Sequence, residues 1–182
     1  MDFASPQDLV DHITAEVRSS LSAVEFSRIG LQQFASDIQK SLVTNAKNPD
    51  PTVYIGEGEP NDPASKAHAS WRLSEILSQA GSDGRANIWL SQQWIVAMYS
   101  KWEHEFRPLF SSLCDVPVEE VQSDLFGDLR HLRNDVVHHS AVATASNSGK
   151  CKLLGFFEPG DVINLVAEHF LIIRSNLEVR IG

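Results

Sequence analysis

Apolar residues that return at three- and four-residue spacing are what most constrain this chain. Val17, Leu21, Val24, Leu31, Ile38 and Leu42 make one such stripe, interrupted at Arg28 and Ala35, and a stripe of that period is buried along one side only when the backbone is helical. Ser5-Pro6-Gln7-Asp8 marks its start: a serine caps free N–H groups, proline suits the first turn, and an aspartate favours the positive end of the dipole. Gly30 is the position where this helix can bend or divide. A second helix is expected over residues 65–79, closed at Gly81-Ser82-Asp83-Gly84. Ile88, Ile95, Tyr99, Trp102 and Phe106 share a narrow arc of a third, which ends at Arg107-Pro108 because proline disfavours helix in the residue before it. Val118, Val121, Leu125, Leu129, Leu132 and Val136 give a fourth, beginning just after Pro117. Val166, Phe170, Ile173 and Leu177 face a terminal helix opened by Pro159-Gly160-Asp161. The expected fold is all-α in the main, a bundle of about five helices.

Two stretches break the helical pattern. Residues 45–63 turn to Asn, Pro, Asp and Gly around the strand-like run Thr52-Val53-Tyr54-Ile55, which reads as an excursion loop rather than a domain linker. Residues 151–157 have the character of a short extended piece. With 182 residues, the chain fits one domain over residues 1–182, since single cores stop growing only at about 250 to 300 residues. The N-terminus lacks a basic segment leading into an apolar run, no apolar stretch approaches bilayer length, and Cys114 and Cys151 stand alone. A cytoplasmic protein with reduced thiols and no membrane association is expected.

Trp89 and Trp94 lie outside the arc of the third helix, as a wide buried face or a subunit contact requires. A net charge of −9 excludes a protein that coats nucleic acid through a broad basic surface. Any such contact must be local. From Asp128 to His139 the fixed charges cancel, and three histidines lie in the same stretch. Arg130, Asn134 and His138 recur at i, i+4 and i+8, a ridge opposite the apolar stripe with Arg133 and His131 on its flanks. The alternative is an ordinary solvated helix face. His139 turns back toward the stripe as a helix-end or packing residue.

Arg133-Asn134-Asp135-Val136-Val137-His138 resembles the Arg-x4-His motif of the HEPN superfamily, including the polar residue after the arginine, and the preceding Gly127 to Leu132 resembles the approach to that motif in bacterial members of this size. The resemblance covers that stretch alone; elsewhere it is one of helix count. It implies an antiparallel HEPN-like bundle acting as a homodimer, in which two motifs meet and cleave RNA without a metal ion, leaving a 2′,3′-cyclic phosphate. Arg133 and His138 would be catalytic, with Asn134, Arg130, Asp135 and His131 in support. The histidine would move a proton at the ribose 2′-OH or the leaving oxygen, and the arginine would hold the phosphate. Arg133 and His138 are about 140° apart on an ideal helix, so one copy aims both at one atom only if the arginine reaches around. The resemblance also implies partners of the toxin–antitoxin or defence kind.

Neither a cofactor nor a metal is expected. His104, His131, His138 and His139 lack a recognised ligand spacing, Gly56-Glu57-Gly58 lacks the helix and lysine of a phosphate-cradling loop, and neither cysteine has a neighbouring base. The competing class is a non-catalytic helical module for dimerisation or partner binding, which the acidic composition and the off-stripe tryptophans also fit.

Overall fold

The computed structural model describes residues 3–43, 48–59, 62, 64–81 and 83–182. Residues 45–47, 60, 61 and 63 of the excursion, Ser82 of the second helix's close, and Met1 and Asp2 lie outside the described residues. The chain is mainly helical and forms two compact units, one from residues 1–25 with 88–182 and the other from residues 26–87.

Helix α1 runs unbroken over Pro6–Val43. Its start is capped by Ser5, whose hydroxyl accepts the Asp8 N–H at 3.2 Å. Gly30 does not divide it. The interruption of the stripe at Arg28 instead falls near the change of unit: Leu9, Ile13, Val17, Leu21 and Val24 are buried in the first, while Ala35, with Leu31 and Ile38 packed beside it, belongs to a small second core.

In the second unit the expected helix over 65–79 is half strand. Strand β1 (Thr52–Glu57) pairs antiparallel with β2 (Lys66–Arg72), and only Leu73–Ala80 is helical, as α2. The Lys, Ala and Ser of β2 favour helix in isolation, but pairing across the hairpin overrides a propensity worth only tenths of a kcal/mol per residue, about 0.7 at most. A bulge between Ile55 and Gly56 shifts the register. Glycine is required there, since a Cβ on Gly56 would stand 2.1 Å from the Lys66 carbonyl oxygen. The excursion is therefore one arm of a hairpin as well as a loop. Asp50 joins it to α2 by accepting the Ser74 N–H at 2.8 Å and the Ser74 hydroxyl at 3.0 Å.

The first unit holds the main core. Helix α3 (Arg85–Lys101) does not end at Arg107-Pro108 but passes through a π-helical turn (Trp102–Phe106) into α4 (Arg107–Cys114). The widened turn takes Arg107 N–H to the Trp102 carbonyl, so the proline enters at the first turn of α4, where its missing N–H costs little. The expected helix after Pro117 is also interrupted. A 3-10 turn (Val118–Glu120) and strand β3 (Val121–Gln122) precede α5 (Asp124–His138), and β3 pairs with the terminal strand β4 (Arg180–Ile181). Extended backbone at Ser123 separates them. Beyond α5 come the four-residue helix α6 (Ala145–Ser148) and α7 (Ala167–Ser175), the latter shorter than expected because Ile163 and Leu165 are buried from extended chain.

Leu9, Ile13, Val17 and Leu21 of α1, Ile95 and Met98 of α3, Leu125, Phe126, Leu129 and Leu132 of α5, and Phe170 and Ile173 of α7 meet in one apolar cluster. Of the two off-stripe tryptophans, Trp94 is core, its indole N–H donating to Ser20 Oγ at 2.9 Å, and Trp89 is exposed. No described helix is long and apolar enough to cross a membrane.

Candidate functional site

Helix α5 carries every residue of the expected site, and its two buried carboxylates sort the rest. Asp128 and Asp135 are 2% and 1% exposed, a position that carboxylates occupy only when fully hydrogen-bonded. Asp128 accepts the backbone N–H groups of Lys152, Leu153 and Leu154 at 2.6 to 2.9 Å. This wraps residues 151–157 into bends and turns instead of the extended piece expected of them. Asp135 accepts the Thr144 N–H and the Thr144 hydroxyl, both at 2.9 Å, together with the Asn147 amide. Its backbone carbonyl also takes the His139 and Ala141 N–H groups, both at 3.0 Å. Asp135 thus faces away from the arginines and holds the chain that leaves the helix.

That exit is strained. Ser140 and Ala141 have φ of 53° and 60°, the left-handed region that costs residues with a Cβ about 1 kcal/mol or more each. Asp135 and the pairing of Ala141 with Ile163, whose N–H donates to the Ala141 carbonyl at 2.9 Å, hold them there. His138 is the last residue of the helix, immediately before this turn, and His139 caps the end exposed to solvent rather than packed on the stripe.

With both aspartates turned inward, the outer face keeps the cations. Arg130 and His138 are exposed, Arg133 and Asn134 half-buried. Neither Arg130 nor Arg133 has an ion pair among the described residues, on a chain with 24 acidic and 15 basic side chains. The arginine does reach around the helix: Arg133 Nη1 lies 3.4 Å from His138 Nε2 and donates to Asn134 Oδ1 at 3.3 Å. One chain therefore brings Arg133, Asn134 and His138 together without a second copy. His131 is not brought to them by any hydrogen bond, and its buried Nδ1 has no partner.

An exposed guanidinium edge next to an imidazole offers an anion two donors and offers a hydroxyl one base. Burial, then the charges of Asp128 and Asp135, push the Cys151 thiol up to about 12, which disfavours the thiolate. Among the described residues no three His, Cys, Asp or Glu side chains are grouped to hold a metal ion.

The ground beside Arg130 is not legible in the sequence. Tyr99, Trp102, Glu103 and Arg107, from α3, the π-helical turn and α4, line a cleft of about 430 Å³ together with Arg130 and the start of α5. Only the aromatic positions of the third stripe hinted at it, and the stripe reads as core. Among family models, curated proteins and solved structures, none matches the chain.

Proposed function

We propose that this chain is a metal-independent endoribonuclease of the HEPN type. The observation that carries the reading is the meeting of Arg133 Nη1 and His138 Nε2 at 3.4 Å on a helix face whose carboxylates are both withdrawn. In the reaction His138 accepts the proton of the ribose 2′-OH, the 2′-oxygen attacks phosphorus, and the bond to the 5′-oxygen breaks, that oxygen taking up a proton from water as it leaves. The products are a 2′,3′-cyclic phosphate and a 5′-hydroxyl. Arg133 binds the phosphate oxygens and stabilises the charge that grows on them, and Asn134 steadies the guanidinium. A homodimer belongs to the reading as the surface that shields the exposed ridge from water, with the same ridge presented by both copies. A restraining antitoxin or a defence-system partner is the context the motif suggests.

The test is incubation of the purified chain with mixed RNA in EDTA beside Arg133→Ala and His138→Ala. Cleavage by the native chain and none by either variant is expected; cleavage that survives in both, or that chelation abolishes, sinks the mechanism.

A non-catalytic partner-binding module is the competing reading, favoured by one observation. Phe34, Ile55 and Trp71 are each 43% exposed around an apolar groove of about 380 Å³ in the second unit. It expects no cleavage under any condition.

A further inference from the structure

The cleft beside Arg130 has the furniture of a base-binding subsite. Its floor is the buried pair Trp102 and Phe126, 4% and 1% exposed, which stack on each other with ring centroids 4.3 Å apart and planes 4° from parallel. Tyr99, which burial and then the neighbouring Glu103 keep protonated above its ordinary range, donates its hydroxyl to Glu103 Oε2 at 3.1 Å. Arg107 is anchored by donating Nε–H to the Val121 carbonyl at 3.0 Å, with its Nη1 3.7 Å from Glu103. Gln122 adds an exposed amide.

Three further facts separate this cleft from an ordinary surface groove. Its wall includes part of the π-helical turn (Trp102–Phe106), a rare conformation that is frequent at functional sites. Ser123, also lining it, stands at the N-cap of α5 but caps nothing, and its buried hydroxyl has no partner in a residue only 8% exposed. A bond of that kind left unmade is costly and uncommon without a reason. Finally, Arg130 stands at once on the cleft and on the ridge of Asn134 and His138. The helical rise puts it about 12 Å from His138 along the axis, a span that a short single strand covers.

We propose that this cleft binds a guanine base of the strand whose scissile phosphate lies between Arg133 and His138, with Arg130 holding an intervening phosphate. The inference rests on the ribonuclease reading for its substrate class and names the specificity of that site. Glu103 selects the base: a carboxylate only accepts hydrogen bonds, and guanine sets its N1–H and amino group side by side, whereas uracil flanks a single N–H with two carbonyl oxygens. The half-buried ring of Tyr99 meets the base's apolar surface, and Arg107 neutralises the carboxylate without leaving its own anchor.

Calorimetric titration of the full chain with 5′-GMP, 5′-UMP and inorganic phosphate tests the proposal, with the intrinsic tryptophan fluorescence followed in parallel. GMP is expected to bind about tenfold or more tighter than UMP, and phosphate more weakly than either. Glu103→Gln, which keeps the side chain's length and its bond to Tyr99, should erase the preference for GMP, and Arg130→Ala should weaken both nucleotides alike. Equal binding of GMP and UMP, binding no better than phosphate, or a preference untouched by Glu103→Gln in a variant that melts like the native chain overturns it. The two readings fail separately. GMP binding by a chain that never cleaves RNA supports the cleft and removes the ribonuclease. Cleavage that requires Arg133 and His138 without GMP selectivity removes the cleft and leaves the ribonuclease standing.

Discussion

Arg133 crosses the last turn of α5 to place Nη1 3.4 Å from His138 Nε2, so the two ends of the Arg-x4-His segment meet within one chain. Their contact is one of side-chain reach, since their helical positions point about 140° apart. Lysine keeps the charge but not the planar fork that touches Asn134 and His138 together. Under the proposed ribonuclease reaction Arg133→Lys should therefore lower kcat for RNA cleavage by about a hundredfold, the usual cost of one lost donor to the developing charge. Single-turnover kinetics at saturating enzyme checks this.

Asp135 works on the other side of the same helix. An asparagine there would turn an amide donor toward the Thr144 and Asn147 groups that now donate to both carboxylate oxygens. Asp135→Asn should destabilise the fold by about 2 to 3 kcal/mol, read by urea denaturation. It should also free the strained turn at Ser140 and Ala141, visible as lost hydrogen-exchange protection at the Ala141 and Thr144 amides.

The charge at the helix start predicts a pH dependence. Hydrogen bonds from Arg180 and then Lys152 hold the Asp124 carboxyl at about 2, below its ordinary 3.8. A folded-state value below the unfolded one means that the contribution to stability is complete above the ordinary carboxylate range and is lost as pH falls through about 2. Asp124→Asn should melt below the native chain at pH 6, and the two melting curves should converge as pH approaches 2. A gap in melting temperature that stays constant over that range would contradict the assignment.

Gly56 is where the hairpin of the second unit tolerates no side chain. A Cβ there meets backbone on the partner strand, so Gly56→Ala must shift one strand or the other at a cost of roughly 1 to 3 kcal/mol. Hydrogen exchange should show the loss at β1 and β2 while the core of the first unit keeps its protection.

The long apolar stripes of α1, α3 and α5 were legible in the sequence because each repeats over several turns, and the ridge of Arg130, Asn134 and His138 followed from the same periodicity. What escaped depended on partners distant in sequence. The 66–72 segment is a strand because Thr52–Glu57 pairs with it. Val118 and Val121 continue the stripe in register, yet the pairing of Val121 with Ile181 removes them from the helix. Asp128 and Asp135 look like partners for the arginines until residues 144–154 are seen to supply their donors. The contact of Arg133 with His138 stayed open in the sequence, as the case in which the arginine reaches around, because helical angle fixes the direction of a Cβ and leaves the far end of a long side chain free.

The most direct test of the account replaces the attacking group itself. A short RNA carrying one preferred cleavage position should be cut in EDTA to fragments ending in a 2′,3′-cyclic phosphate and a 5′-hydroxyl, identified by mass spectrometry. The same strand with a single 2′-deoxy sugar at that position should resist, because the proposed reaction needs the 2′-OH both as the proton donor to His138 and as the attacking oxygen. Cleavage of the 2′-deoxy strand at that position, or 5′-phosphate ends from the RNA strand, would contradict the assignment of Arg133 and His138.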